Sequence, residues 1–217
     1  MQQTIIRFPD IKLKTRDAHK LRGYFGRLFE EHSVLLHNHF EDGKLRYAYP
    51  LVQYKVIGNM PMLVGINEGG RLLIELFLKI KEIEIEDRHF EILSKNIENR
   101  IVDIRDTDDL FEYEFETLWM ALNEKNFKEY IEADKREKEQ KLQNTLKGNI
   151  LSFYKGIGFW TKHPIMVKMK VEERDTLFKE KKMLAFKGRF VSNAMLPDYV
   201  GLGKAVSRGF GTIVKLD

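Results

Sequence analysis

The sequence predicts an α+β protein built as two tandem ferredoxin-like (RRM-like) βαββαβ domains, residues 1–108 and 109–217. Three observations lead there. In the first half the apolar pattern switches between a period near 3.6 and a period of 2 in the order β-α-β-β-α-β. In the second half the same order returns with a reduced second helix. And 217 residues, 43% of them hydrophobic, are enough for two small packed cores. No exact internal repeat is present, so the duplication rests on element order alone.

Each element has its own signal. TIIRFP (4–9) opens as a short strand. In RDAHKLRGYFGRLFEEH (16–32), Leu21, Tyr24, Phe25, Leu28 and Phe29 recur at helical spacing and give one apolar stripe. LRYAYPLVQYKVIG (45–58) and MPMLVGI (60–66) are β-rich runs divided by Gly58-Asn59, a hairpin signal. GGRLLIELFLKI (69–80) is apolar enough for a core helix, and KEIEIED (81–87) alternates as a half-exposed fourth strand. Residues 88–110, with the acidic run DIRDTDD (103–109), read as a connector. FEYEFETLWMALN (111–123) alternates as a strand, and a helical region follows from about 124 to 154. Its middle, EADKREKEQK (132–141), is either a helix in solvent or a mobile loop. Leu142, Leu146, Ile150 and Phe153-Tyr154 then restore a buried face. IMVKMKV (165–171) and LFKEKKMLAFKGRFVSN (177–193) form a strand pair, and GTIVKL (211–216) is the last strand.

The chain has no cysteine, which excludes disulfides and thiolate metal sites and suits a reducing cytoplasm. MQQTIIRFPDIKLKTRD lacks the apolar run of a signal peptide, and no stretch reaches membrane-spanning length. Charge is unevenly placed. Residues 1–108 hold 17 basic and 17 acidic side chains, whereas residues 141–217 hold 15 basic against 6 acidic, a balance of +9. A basic half is either a solvated face or a site for a polyanion such as nucleic acid.

Four of the fifteen glycines fall in GLGKAVSRGFG (201–211). A dinucleotide loop needs GxGxxG, but Val206 stands where the third glycine belongs, and no GxxxxGK[ST] loop is present. What remains is GhGxxxxxGhG, with Gly201, Gly203, Gly209 and Gly211 enclosing Lys204, Ser207 and Arg208. Bare backbone can approach a phosphate while the cations neutralise it. The plainer reading is a tight connection before an edge strand.

This loop, placed just before a C-terminal strand, resembles that of the CRISPR RAMP (repeat-associated mysterious protein) superfamily. FETLWMALNEKNFKEY (115–130) is similar to the segment opening the C-terminal domain of one "b" subtype. LLHNHF (35–40) with YAYPLVQYKVIGNMPMLVGINEG (47–69) is similar to its N-terminal region. That subtype belongs to the sixth numbered Cas family, the endoribonuclease that cuts precursor CRISPR RNA at its repeats. The resemblance spans nearly the full chain and is weakest at 88–110 and 132–141. It implies two ferredoxin-like domains and a reaction that uses neither metal nor cofactor. A ribose 2′-hydroxyl attacks the adjacent phosphate and leaves a 2′,3′-cyclic phosphate and a 5′-hydroxyl. CRISPR repeat RNA is the implied partner, with other Cas effector subunits and a second copy of the chain open as further ones.

Such chemistry needs a base, an acid and a cation at the phosphorane. His37, His39, Lys44, Arg46 and Tyr47 lie within eleven residues. In an extended LHNHF both imidazoles share a side. His37, His39 and Tyr47 are therefore the candidate catalytic groups, with Lys44 and Arg46 as RNA contacts. Two imidazoles without a third ligand make a poor metal site. His19 and His32 read as surface or capping residues beside the first helix, with His32 a reserve; His89 falls in the connector, and His163 in the basic half is open to RNA. Lys168, Lys170, Lys187 and Arg189, with Lys179, Lys181 and Lys182, lie along the predicted strand pair. They read as a cationic sheet face for RNA or, more plainly, as solubilising lysines. Phe159 and Trp160 read as core aromatics, with base stacking the alternative. Two rivals stand beside the nuclease: a non-catalytic RNA-binding RAMP subunit of a CRISPR effector complex, and a nucleotide-binding α+β protein.

Overall fold

Period-2 runs rich in Val, Ile and Tyr become strands, and period-3.6 runs become helices, in a computed structural model that describes residues 1–28, 49–178 and 181–216. The chain divides into two compact units. One comprises Met1–Val102 with Ser207–Gly209, the other Asp103–Val206 with Phe210–Asp217. The division falls between Val102 and Asp103, six residues before the expected boundary at 108, because strand pairing resumes within the supposed connector.

In the first unit, β1 (Gln2–Arg7) leads through a 3-10 turn into α1 (Ala18–Leu28). β2 (Val52–Ile57) and β3 (Met60–Ile66) form the expected hairpin, closed by Gly58 and Asn59 at φ 57° and 65°. α2 (Glu68–Leu76) follows, then the hairpin β4 (Glu82–Ile85) with β5 (Arg88–Glu91), and β6 (Asn96–Ile101). The sheet order is β2-β3-β1-β6, antiparallel throughout. Leu21, Tyr24 and Phe25 of α1 and Leu72, Leu73 and Leu76 of α2 pack on Ile6, Tyr54, Val56 and Leu63. Leu28, assigned to the same stripe, is exposed.

Two expectations fail here. The alternating segment at 81–87 is not the fourth strand of the sheet; it pairs only with β5. The fourth strand is β6, inside the stretch taken for a connector. Its sequence NIENRI is mostly exposed, so side-chain pattern does not reveal it. A full antiparallel ladder to β1, from Gln2↔Ile101 to Arg7↔Asn96, fixes it instead.

The second unit has strands β7 (Arg105–Phe115), β8 (Val167–Phe178), β9 (Lys181–Met195) and β10 (Ile213–Lys215), in the order β10-β7-β9-β8. β7 starts within the acidic run and shifts register between Asp106 and Phe111. The helical region is two helices, α3 (Glu124–Glu132) and α4 (Lys135–Gly156). They part at Asp134, whose carboxylate accepts from Glu137 N at 2.8 Å while Glu137 accepts from Asp134 N at 3.1 Å. This reciprocal cap starts α4 afresh. The polar middle at 132–141 is thus mainly helix. Leu142, Leu146, Ile150, Phe153 and Tyr154 are buried from α4, each worth roughly 1.5–3 kcal/mol. The core of this unit is aromatic, with Tyr113 on Phe190 and Phe115 on Trp119 at 5.1 Å between ring centroids. No helix among the described residues is long and apolar enough to cross a membrane.

Candidate nucleic-acid interface

The connection from β9 to β10 carries the glycine motif, and the structure gives each glycine a packing reason. Gly201 and Thr212 form an isolated antiparallel bridge. A Cβ on Gly203, at φ 94°, would stand 2.7 Å from the Trp119 indole nitrogen, and one on Gly211, at φ 62°, only 1.9 Å from Leu202 O. A Cβ on Gly201 would meet Val206 at 2.6 Å. Three other loop residues, Ser207–Gly209, group with the first unit, where a Cβ on Gly209 would lie 2.8 Å from that of Ala18.

Several loop amides serve the fold. Leu202 N donates to Gly211 O, Lys204 N to Met120 O, Gly211 N to Leu118 O, and Thr212 N to the Thr117 hydroxyl. The sequence left these glycines either to phosphate contact or to a tight connection before an edge strand; the geometry shows the tight connection, with backbone laid directly on backbone. The side chains in the five-residue gap differ in setting. Lys204 is exposed, its ammonium 3.4 Å from Leu122 O. Ser207 and Arg208 are half-buried. Burial first, and then the Arg22 guanidinium, lower the pKa of Arg208.

On the sheet of the second unit, register places Lys168 opposite Val191, Lys170 opposite Arg189 and Glu172 opposite Lys187, on the face away from the aromatic core. β7 adds Glu112 and Glu114 to that face, opposite Val191 and Arg189. Not all of its cations are equally available. The Lys187 ammonium donates to Phe115 O and Glu116 O, and Arg189 lies 3.5 Å from Glu114 and 3.9 Å from Glu112. Lys168 and Lys170 are exposed, with no ion pair among the described residues. Lys170 faces Arg189 across the strand pair, and the Arg189 charge is met by Glu114 and Glu112. Lys181 and Lys182 are exposed at the start of β9.

The histidine cluster falls elsewhere. His32, His37, His39, Lys44, Arg46 and Tyr47 lie outside the described residues, as does Lys179. Of the other histidines, His19 Nδ1 is 2.7 Å from Arg16 O, and His89 Nε2 lies 3.5 Å from Glu82 in the β4–β5 hairpin. His163 Nδ1 is 3.0 Å from Asp106, a contact sequence reading did not anticipate. The assignment of both neighbouring aromatics to the core needs correction. Phe159 packs edge-on against Tyr154, but Trp160 is 74% exposed. Phe159 follows the turn that ends α4 and reaches back to Tyr154, whereas Trp160 continues into the loop toward β8.

Two α+β units of the same strand order, with GhGxxxxxGhG before the final strand, define the class of RAMP-type CRISPR proteins. Comparison with known proteins narrows this. Residues 1–103 match the Cas6b N-terminal domain and residues 105–216 the Cas6b C-terminal domain. A crystal structure of Cas6b is 36% identical and superposes with a TM-score of 0.94 over 99% of both chains. A structure of the CRISPR RNA processing endoribonuclease Cas6b is 35% identical with a TM-score of 0.79, covering 100% of each. Uncharacterized protein MJ0978 of Methanocaldococcus jannaschii is 29% identical over 144 residues, 66% of this chain and 98% of its own length. The chain belongs to the Cas6b family.

Proposed function

We propose that this protein is a CRISPR RNA processing endoribonuclease, cutting precursor CRISPR RNA within its repeats in the cytoplasm. The observation that carries the reading is likeness from end to end, at 35% identity and 100% coverage, to a structure described by that activity. The exposed Lys168 and Lys170 beside the opposed Arg189 support an RNA path over the second unit. Lys204, Ser207 and Arg208 add contacts from the glycine loop, and Lys187, Lys44 and Arg46 complete the set.

In the proposed reaction a ribose 2′-oxygen forms a bond to phosphorus as the bond to the 5′-oxygen breaks. The 2′ proton passes to one imidazole, and the other protonates the departing oxygen. The products are a 2′,3′-cyclic phosphate and a 5′-hydroxyl. His37 and His39 take these roles, with Tyr47 holding or protonating an oxygen. No metal or cofactor takes part in this scheme.

Labelled repeat RNA incubated in EDTA tests it. The wild-type protein should cut at one position, and RNA with 2′-deoxyribose there should bind and stay whole. His39→Ala should spare binding and lower the single-turnover rate by about 10²-fold or more. Lys168→Ala with Lys170→Ala should weaken binding and reduce the slope of log K against log salt by about one unit per lost phosphate contact. RNA bound but left intact by the wild type would overturn the nuclease and favour a scaffold subunit.

A further inference from the structure

We infer that the loop from α4 to β8 is a contact for single-stranded RNA, with Trp160 stacking on a base and Lys162 and His163 meeting the flanking phosphates. The inference rests on the proposed RNA substrate and adds a subsite to it.

The loop is built rather than slack. One carboxylate oxygen of Asp106, a side chain only 4% exposed, accepts from Lys162 N at 2.9 Å and from His163 N at 2.7 Å, and lies 3.0 Å from His163 Nδ1. Burial alone would raise the Asp106 pKa, but the amides of His163, Asp106 and Lys162 and the His163 ring lower it. Farther along, Asn193 donates to Pro164 O at 3.2 Å and accepts from Met166 N at 2.8 Å. At the other end Phe159 N donates to Tyr154 O at 2.9 Å, and its ring lies against Tyr154.

Between these anchors Trp160 is left 74% exposed. A tryptophan held out by a fastened loop forgoes the burial that usually keeps that side chain. The backbone that carries it is already ordered in the folded protein, so a flat ligand can stack on the indole without ordering the loop.

Charge selects the ligand. Residues 155–170 contain four lysines and one histidine and no acidic residue. Asp106, the carboxylate that holds the loop, is engaged by Lys162 N and His163 N. An exposed indole among cations suits an unpaired base with its phosphates, since stacking accepts any base while the cations hold the backbone.

The two tryptophans make the test direct. Trp119 is buried with its Nε1 3.0 Å from Asn149 Oδ1, so iodide-quenchable emission reports Trp160. Titration with repeat RNA carrying a 2′-deoxy block at the cut site should quench that emission and shield it from iodide. Trp160→Ala should weaken binding about tenfold and Trp160→Phe should restore most of it. RNA binding with unchanged emission and an Ala variant of wild-type affinity would overturn this subsite and leave the nuclease standing. Failure of the wild type to bind any repeat RNA would overturn both. Shielding that grows with protein concentration in the absence of RNA would overturn the inference in favour of self-association.

Discussion

The two units share one strand order and differ in what joins the third strand to the fourth. In the first unit the joint is a helix, α2, followed by the β4–β5 hairpin; Leu72, Leu73 and Leu76 of α2 reach the core while Gly69 and Gly70 lie close to Gly65 of β3. In the second unit that helix is gone. A loop containing a single 3-10 turn, Val206–Arg208, covers the same step, with Leu202 and Val206 buried in place of the leucines. Beyond its glycine-bearing first turn, α2 stands off its neighbours by the length of its side chains, whereas this loop sets its own backbone against Trp119, Met120 and Leu118 at Gly203, Lys204 and Gly211. The difference teaches why the glycines are so dense: backbone replaces side chain as the packing surface. Lys204 and the half-buried Arg208 are then displayed without a helix between them and solvent.

The largest expected effect would break that account. Gly211→Ala places a methyl 1.9 Å from Leu202 O at φ 62° and should cost roughly 3 kcal/mol or more, read from urea unfolding. Gly58→Ala in the first unit, at nearly the same φ but with nothing within 4 Å of the added carbon, should cost only about 1 kcal/mol. Equal losses would mean that dihedral preference, and not close approach, explains the loop.

The same contrast explains what was legible in the sequence. The element order of both units was readable because strands and helices that bury one face must repeat at 2 or 3.6. The reduced second helix of the second unit was visible too, since glycines interrupt any helical period. β6 was not, because an exposed edge strand is held by main-chain bonds to β1 that no side-chain pattern records. The motif glycines were conspicuous, but the groups that require them, Trp119, Met120 and Ala18, lie far away along the chain. Trp160 was misread for a related reason. It sits in a loop held by Asp106, some fifty residues earlier, a partner that no local pattern reveals. The candidate catalytic histidines were found by residue type and resemblance, and they fall outside the described residues.

A second difference lies in buried charge. Each unit holds a carboxylate whose side chain is almost wholly buried, Asp17 in the first and Asp106 in the second, but among the described residues only the first unit buries a lysine, Lys55. Burial alone lowers the Lys55 pKa from 10.5 to about 7. Between those values the unfolded chain holds a proton that the native state does not, so stability should rise with pH, by roughly 1.4 kcal/mol per unit across the window. For Asp17, burial raises the pKa, but Lys20, the Lys14 amide and Arg88 together lower it. Its contribution is therefore present above the ordinary carboxylate range and is lost as the solution is acidified. Urea midpoints of the wild type should climb from pH 7 to 9, and Lys55→Met should flatten that climb. A variant with an unchanged slope would show that Lys55 keeps its proton in the folded protein.

The smallest effect sharpens the comparison at the helices. α2 begins at Asn67 without a side-chain cap, and its leucines hold it in place. α4 begins at Asp134 with both halves of a capping box, in a stretch whose first turn buries nothing. Asp134→Ala leaves the amide of Glu137 without its acceptor and should cost about 1 kcal/mol, while Asp134→Asn should keep most of the cap. The loss is modest because Leu142, Leu146 and Ile150 still seat the middle of the helix. Hydrogen exchange should therefore speed up in the first turn of α4 and stay slow beyond Leu142. If exchange at the first turn did not change, the break between α3 and α4 would be fixed by the packing of Tyr130 against Phe186 at the end of α3. The second unit would then hold its helices as the first holds α2, by buried side chains alone.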